Sequence, residues 1–291
     1  MSLASIPRLG SGLGFRDELA DMTFAARQDI DFVEIVTERY LGGPEALDEL
    51  REVVDAFPVI PHGLELSIGA AGPLDAEYLG NIKRVSDVTG SPYYSDHLCL
   101  TRVPGIDFGH MAPLWFGNEV LRTTIERVNA VQDALGKPLV LENMTYPFEI
   151  PSPDMSQTEF FHRLVDATGC GVLLDVTNVY TNAVNHGFDP VRFLTEMPLD
   201  SVVQVHLAGG HWYEGVLIDG HSHPVPQEVW DLFAWLCERV EVKASLLEFD
   251  QNFPDFSVVI DQVASAREFM SASVRSAVPS HVRTSPGRVS R

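Results

Sequence analysis

The chain holds three cysteines in 291 residues, Cys99, Cys170 and Cys237. They are too few and too scattered for a disulfide framework or a zinc knuckle, so a reduced cytoplasm is the expected compartment. Positive charge is also scarce. Lys and Arg number 20 against 41 Asp and Glu, a formal net charge of −21. That balance disfavours a nucleic acid or an anionic membrane as partner. No run of about eighteen apolar residues, the length a membrane span needs, occurs anywhere. The first residues, Met1-Ser2-Leu3-Ala4-Ser5-Ile6-Pro7-Arg8, lack the charged start and long apolar core of an export signal. With 45% hydrophobic residues the chain can bury a large core, and an α/β barrel of this length is commonly one domain.

What is present is a series. Seven short apolar runs each end in a side chain able to bind metal: Val59-Ile60-Pro61-His62, Tyr93-Tyr94-Ser95-Asp96-His97, Leu139-Val140-Leu141-Glu142-Asn143, Val172-Leu173-Leu174-Asp175, Val202-Val203-Gln204-Val205-His206, Leu217-Ile218-Asp219-Gly220-His221 and Leu246-Leu247-Glu248. Strand-like and helix-like stretches alternate along the chain. The strands are expected at 8–14, 31–36, 58–63, 92–98, 138–143, 171–176, 202–207 and 244–249. The helices are expected near 16–28, 44–56, 75–89, 117–135, 156–168, 189–196, 226–239 and 257–272. Eight of each closes a (β/α)8 TIM barrel.

Local punctuation agrees. Pro44 opens the second helix, Gly136-Lys137-Pro138 closes the fourth, and Ser156 with Glu159 forms a capping box for the fifth. Leu121, Ile125 and Val128 fall on one helical face. The longest connection is expected from Ala208 to Pro224. Residues 1–274 read as a single catalytic barrel domain. Residues 275–291, with four arginines and no acid, read as a disordered basic tail.

A barrel explains the series, because side chains at the carboxyl ends of parallel strands point into one mouth. Imidazoles and carboxylates together suit iron, zinc or manganese, and a carboxylate can bridge two ions. Without cations, several acids gathered in a poorly hydrated mouth would repel strongly. Taken singly, His62 or His97 reads equally well as a satisfied core histidine. Asp175, before Val176-Thr177-Asn178, reads as a turn cap, and Asp219-Gly220-His221 as a turn. Their joint recurrence at equivalent positions favours the metal reading. Asn143 and Asn182 are candidates to orient ligands, and His186 and His211 to serve acid–base steps; His211 and Asn182 are the catalytic candidates. His223 points away from the mouth if the segment is extended, and Cys99 reads as a small buried residue. Glu34, Glu38 and Glu65 carry little weight as rim carboxylates. Phe15, Trp115, Phe116, Trp212 and Tyr213 would wall an extended ligand.

The segments His62-Gly63-Leu64-Glu65-Leu66-Ser67-Ile68-Gly69, Ser95-Asp96-His97-Leu98-Cys99, Leu141-Glu142-Asn143, Leu174-Asp175-Val176-Thr177-Asn178, Val205-His206-Leu207-Ala208-Gly209-Gly210 and Asp219-Gly220-His221 resemble those of the multinuclear non-heme iron-dependent oxidative enzymes. That family includes the methanobactin-biosynthesis oxidase and the 3-thiaglutamate-pathway enzyme. The resemblance spans about residues 8–272, with a more distant similarity to the endonuclease IV and xylose isomerase barrels. It implies two or three iron ions. His62 and His97 would hold one, Glu142 would bridge it to a second held by Asp175, His206 and Glu248, and Asn178, Asp219 and His221 would hold a third. Asn178 stands where the endonuclease pattern has histidine. The resemblance further implies dioxygen as co-substrate, a ribosomally made precursor peptide modified at cysteine, and a small partner protein that recognises the leader. The rival expectation is a zinc- or manganese-dependent hydrolase or sugar isomerase.

Overall fold

The computed structural model describes residues 2–148, 150–151 and 153–277. Eight parallel strands close into a barrel: β1 (Gly10–Gly14), β2 (Val33–Val36), β3 (Val59–Gly63), β4 (Tyr94–His97), β5 (Leu139–Glu142), β6 (Gly171–Asp175), β7 (Val202–Leu207) and β8 (Ala244–Leu247). Each strand neighbours the next in chain order, and β8 closes the ring by pairing Gly10 with Ala244 through Leu13 with Leu247. Every strand therefore enters from one end and leaves at the other, which gathers all eight carboxyl ends at one mouth.

The strands have two apolar faces, and their residues divide with the two-residue period of extended chain. Outward residues pack beneath the helices. Inward, Ile60, Val140, Leu173 and Leu246 join Phe32 and Tyr93 in a separate buried cluster. The residues two positions further on are His62, Glu142, Asp175 and Glu248. The barrel interior is thus an apolar floor with a layer of ligand-type side chains standing on it.

Helices Pro44–Ala56, Ala76–Thr89, Asn118–Leu135, Gln157–Thr168, Gln227–Cys237 and Phe256–Ala277 match the expected elements. Pro44 occupies the first turn of its helix, Ser156 Oγ accepts from Glu159 N at 3.1 Å, and Gly136 ends its helix in the left-handed region at φ +70°. In the Asn118–Leu135 helix, Leu121 and Val128 are buried and Ile125 packs half-buried beside them.

Four elements differ from expectation. Helix Val176–His186 follows β6 without a loop; its run of Val, Thr and Asn has weak helix propensity, but Asp175 caps it by accepting from Asn178 N at 2.7 Å. The connection expected as a loop from Ala208 is a β-hairpin, Gly209–Tyr213 with Val216–His223. A second hairpin, Leu100–Val103 with Ile106–Ala112, occupies a stretch to which no element was assigned. The first expected helix, 16–28, is a 3-10 turn at Asp17–Leu19 followed by a short α-helix at Ala20–Ala25. The last helix runs to Ala277, past the boundary expected at 274, and the remainder of the expected basic tail lies outside the described residues.

Candidate metal centre

Strand register builds the site. Parallel pairing sets His97 beside Glu142 and Asp175 beside His206, and side-by-side residues of a parallel sheet share a face. Around Glu142 Oε2, three imidazole nitrogens converge: His62 Nε2 at 3.4 Å, His97 Nε2 at 3.4 Å and His206 Nδ1 at 3.6 Å. His206 Nδ1 also lies 3.1 Å from Glu248 Oε2. Beyond Glu248, His221 Nδ1 is 3.6 Å from the same Oε2, and His221 Nε2 is 2.9 Å from Asp219 Oδ1. Among the described residues, four sets of ligand atoms are close enough to surround an ion: His62–His97–Glu142, Glu142–Asp175–His206, Glu34–His206–Glu248 and Asp175–His221–Glu248.

The electrostatics are those of a site short of positive charge. Burial pushes the Glu142 carboxyl well up, and burial with the Asp219 charge pushes Asp175 up to about 7. Burial and the neighbouring imidazoles hold His62 well below the usual histidine range, and burial brings His97 down to about 4. His206 goes the other way. Burial lowers it, but Glu248, Glu34 and Glu142 together raise it well above the usual range. Burial acts in the same sense on His221, which Asp219 and Glu248 raise, and the two histidines draw Glu248 down against its own burial.

The donor set fits metal ions. Glu142 Oε2, Asp175 Oδ2 and Asn178 Oδ1 are all buried with no hydrogen-bond partner. Each such atom costs about 1–3 kcal/mol if left unsatisfied. Ligand atoms bonded at roughly 2.1 Å to one ion stand about 3.0–3.4 Å apart, which is the spacing from Glu142 Oε2 to His62 and His97, with His206 Nδ1 slightly wider at 3.6 Å. Asn178 donates through Nδ2 to the Asn143 carbonyl at 3.0 Å, which leaves its Oδ1 free.

The sequence matches the family model for RiPP precursor modification enzymes MbnB/TglH/ChrH over residues 10–271. The chain belongs to that family. Among its relatives, a UPF0276 protein of Rhizorhabdus wittichii is 36% identical over 85% of this chain and 89% of its own length. A UPF0276 protein of Chromobacterium violaceum is 33% identical over 94% of this chain and 99% of its own. Solved structures resemble this MbnB/TglH/ChrH member in fold. A D-tagatose 3-epimerase-like protein superposes with a TM-score of 0.56 at 14% identity, over 92% of this chain and all of the other. The IOLI protein with a bound zinc atom gives 0.53 at 13% identity, over 94% of this chain and all of the other.

Several residues singled out in the sequence of this family member stand outside the cluster. Asn182 is engaged at both ends of its amide, accepting from Tyr146 N at 3.1 Å and donating to the Met144 carbonyl at 2.9 Å. It anchors the loop that follows Glu142, as does His186, stacked on Tyr146 with 4.5 Å between centroids. Asn143 clamps the Asp175 backbone at both its N–H and carbonyl, each at 2.9 Å. His211 lies on the hairpin with Nδ1 3.2 Å from Ser222 Oγ. His223 is exposed and Cys99 is buried. Glu38 is turned away, accepting from Leu64 N, Glu65 N and the Tyr78 hydroxyl, and Glu65 pairs with Arg102. Phe15 is buried, whereas Trp212 and Tyr213 are each 62% exposed.

Sequence reasoning missed three residues. Glu34, weighed there as a rim carboxylate, is buried with Oε1 3.1 Å from His206 Nε2. Asp250 accepts from His221 Nδ1 at 3.0 Å, and Arg16 grips Asp250 through Nε and Nη2 at 2.8 and 2.7 Å. The signal for Asp250 was its place two residues after Glu248, at the same strand end. No comparable signal marked Arg16, which arrives from β1 only because the barrel closes there.

Proposed function

We propose that this chain is a multinuclear non-heme iron, dioxygen-dependent enzyme that oxidatively modifies a ribosomally made precursor peptide at cysteine, in the cytoplasm, with a small partner protein recognising the peptide leader. The observation that carries the reading is the unpartnered Glu142 Oε2 standing at ion-bridged spacing from two imidazoles, with a third 3.6 Å away. His62, His97 and Glu142 would hold one iron; Glu142, Asp175, His206 and Glu248 a second; Asn178, Asp219 and His221 a third. Bound iron would supply a Lewis-acidic position for a substrate thiolate and for dioxygen, and the electrons that the oxidation moves.

The chain's own residues do the rest. The apolar floor under the ligand layer excludes water from below, so the imidazoles and carboxylates act in a low-dielectric setting. Trp212 and Tyr213 extend an apolar surface from the hairpin that carries Asp219 and His221, suited to an extended peptide. His211, with Nδ1 toward Ser222 Oγ, is placed on the same hairpin to carry a proton at Nε2. Asn182 acts at one remove, by holding the Met144–Tyr146 loop beside Glu142.

The test is aerobic incubation of the anaerobically iron-loaded protein with a cysteine-containing peptide encoded beside its gene, together with the encoded partner, read by mass spectrometry. A mass change that needs dioxygen and disappears when the peptide cysteine becomes serine is expected. An unchanged peptide, or turnover by the zinc-loaded protein without dioxygen, would overturn the proposal in favour of a hydrolase or sugar isomerase.

A further inference from the structure

The four histidines of the centre differ in what faces their outer ring nitrogen. His62 Nδ1 lies 2.9 Å from the Ser95 hydroxyl, and His97 Nδ1 lies 3.2 Å from the Gly63 carbonyl. Both partners are neutral. His206 Nε2 instead faces Glu34 Oε1 at 3.1 Å, with the Gln204 amide nitrogen that bonds Glu34 also 2.9 Å from it, and His221 Nδ1 faces Asp250 Oδ2 at 3.0 Å. The second of these carboxylates is 48% exposed and shared with Arg16, so solvent and the guanidinium screen it. Glu34 has little solvent and, among the described residues, no guanidinium in contact with it. It is 3% exposed, and its single ion-pair partner among the described residues is His206.

A buried chain holds Glu34 in place. Gln204 Nε2 donates to Glu34 Oε2 at 2.6 Å, and the Tyr93 hydroxyl donates to Gln204 Oε1 at 2.5 Å. Gln204 and Tyr93 are fully buried. Packing does not account for a carboxylate here. Taking one out of water costs several kcal/mol, and a glutamine would fill the same space and accept the same hydrogen bond. Glu34, His206 and Glu248 lie close enough to share an ion, but Glu34 lies at Nε2, while Nδ1 faces Glu248 and Glu142 and so the rest of the cluster. A carboxylate accepting Nε2–H fixes the tautomer whose lone pair sits at Nδ1, and its negative charge makes that lone pair a stronger donor.

We propose that Glu34 is a positioning residue that makes the centre unequal: it locks His206 with Nδ1 toward the cluster, so the ion between His206 and Glu248 is held more tightly than the one between His62, His97 and Glu142. This rests on the metal-centre reading but on neither iron nor dioxygen. The probe is Co²⁺ titrated under argon into metal-stripped protein, followed by visible absorption, with chelator competition for the affinities. The unaltered protein is expected to fill in two classes, the His206 site as the tight one and the His62–His97 site together with the Asn178–Asp219–His221 site as the weak one. Glu34→Gln is expected to weaken the tight class about 10–100-fold, leaving the weak class and the melting temperature of the stripped protein in place. Ser95→Ala, at the neutral partner of His62, is expected to move only the weak class, and by less. Equal weakening of both classes by Glu34→Gln, or no weakening, overturns the inference. Absence of Co²⁺ binding by the unaltered protein overturns the metal-centre reading itself, a different result from a titration that Glu34→Gln leaves unmoved.

Discussion

Replacing Asp175 by asparagine separates what a ligand does for the metal from what it costs the fold. Asp175 is fully buried, caps helix Val176–His186 through Oδ1 and leaves Oδ2 without a partner. Its carboxyl, ordinarily near 3.8, is pushed up to about 7 by burial and by Asp219. In the metal-free fold its ionised form is therefore penalised by at most about 4 kcal/mol. The folded pKa lies above the unfolded one, so stability of the stripped protein declines as pH rises from about 4 to about 7 and then levels. Asparagine keeps the cap, since Asn and Asp serve equally there, and has no charge to strain. At pH 8 stripped Asp175→Asn should be the more stable protein, by up to roughly 10 °C in melting temperature for a domain of this size. At pH 4 the gap should nearly close. Loaded with metal, the order should reverse, because the variant has lost an anionic ligand. Thermal unfolding of both proteins, stripped and loaded, at the two pH values is the assay. A stripped variant less stable than the parent at pH 8 would refute the reasoning: Asp175 would then be held by its own surroundings and not by a missing cation.

Other outcomes follow from the same geometry. Because burial and Asp219 push Asp175 up to about 7 and burial pushes Glu142 upward, protons compete with metal, so affinity should fall as pH drops from 8 to 6, with protons released on binding at pH 7, measurable in weakly buffered solution with an indicator dye. A Cβ at Gly63, the residue after His62, would overlap the Tyr94 hydroxyl and Asp96 Oδ2, so Gly63→Ala should cost about 1–3 kcal/mol in chemical denaturation and reduce bound metal. His211→Ala should leave metal content unchanged and slow peptide turnover about 10²–10⁴-fold if it moves a proton; unaltered turnover would remove it from the chemistry.

Much of this was legible before the fold. The period-2 alternation that sets Ile60 before His62 and Val140 before Glu142 needs only the chain, because extended backbone sends alternate side chains to opposite faces. Repetition of that pattern identified the barrel, and the barrel identified a common mouth. Sequence by itself thus determined which residue types stand at the strand ends and that they share one chemistry. Helix Val176–His186 escaped because its helical state depends on an Asp cap and on packing over β6, not on propensity. Only tertiary structure decided the pairings. Glu34 and His206 are far apart along the chain and on strands that do not pair, so their 3.1 Å contact across the barrel interior depends on ring closure. So does Arg16 reaching Asp250, since β1 meets β8 only when the last strand closes on the first. Spacing along a chain fixes which way a side chain points relative to its neighbours; which charge it meets across eight strands is set by the closure of the sheet.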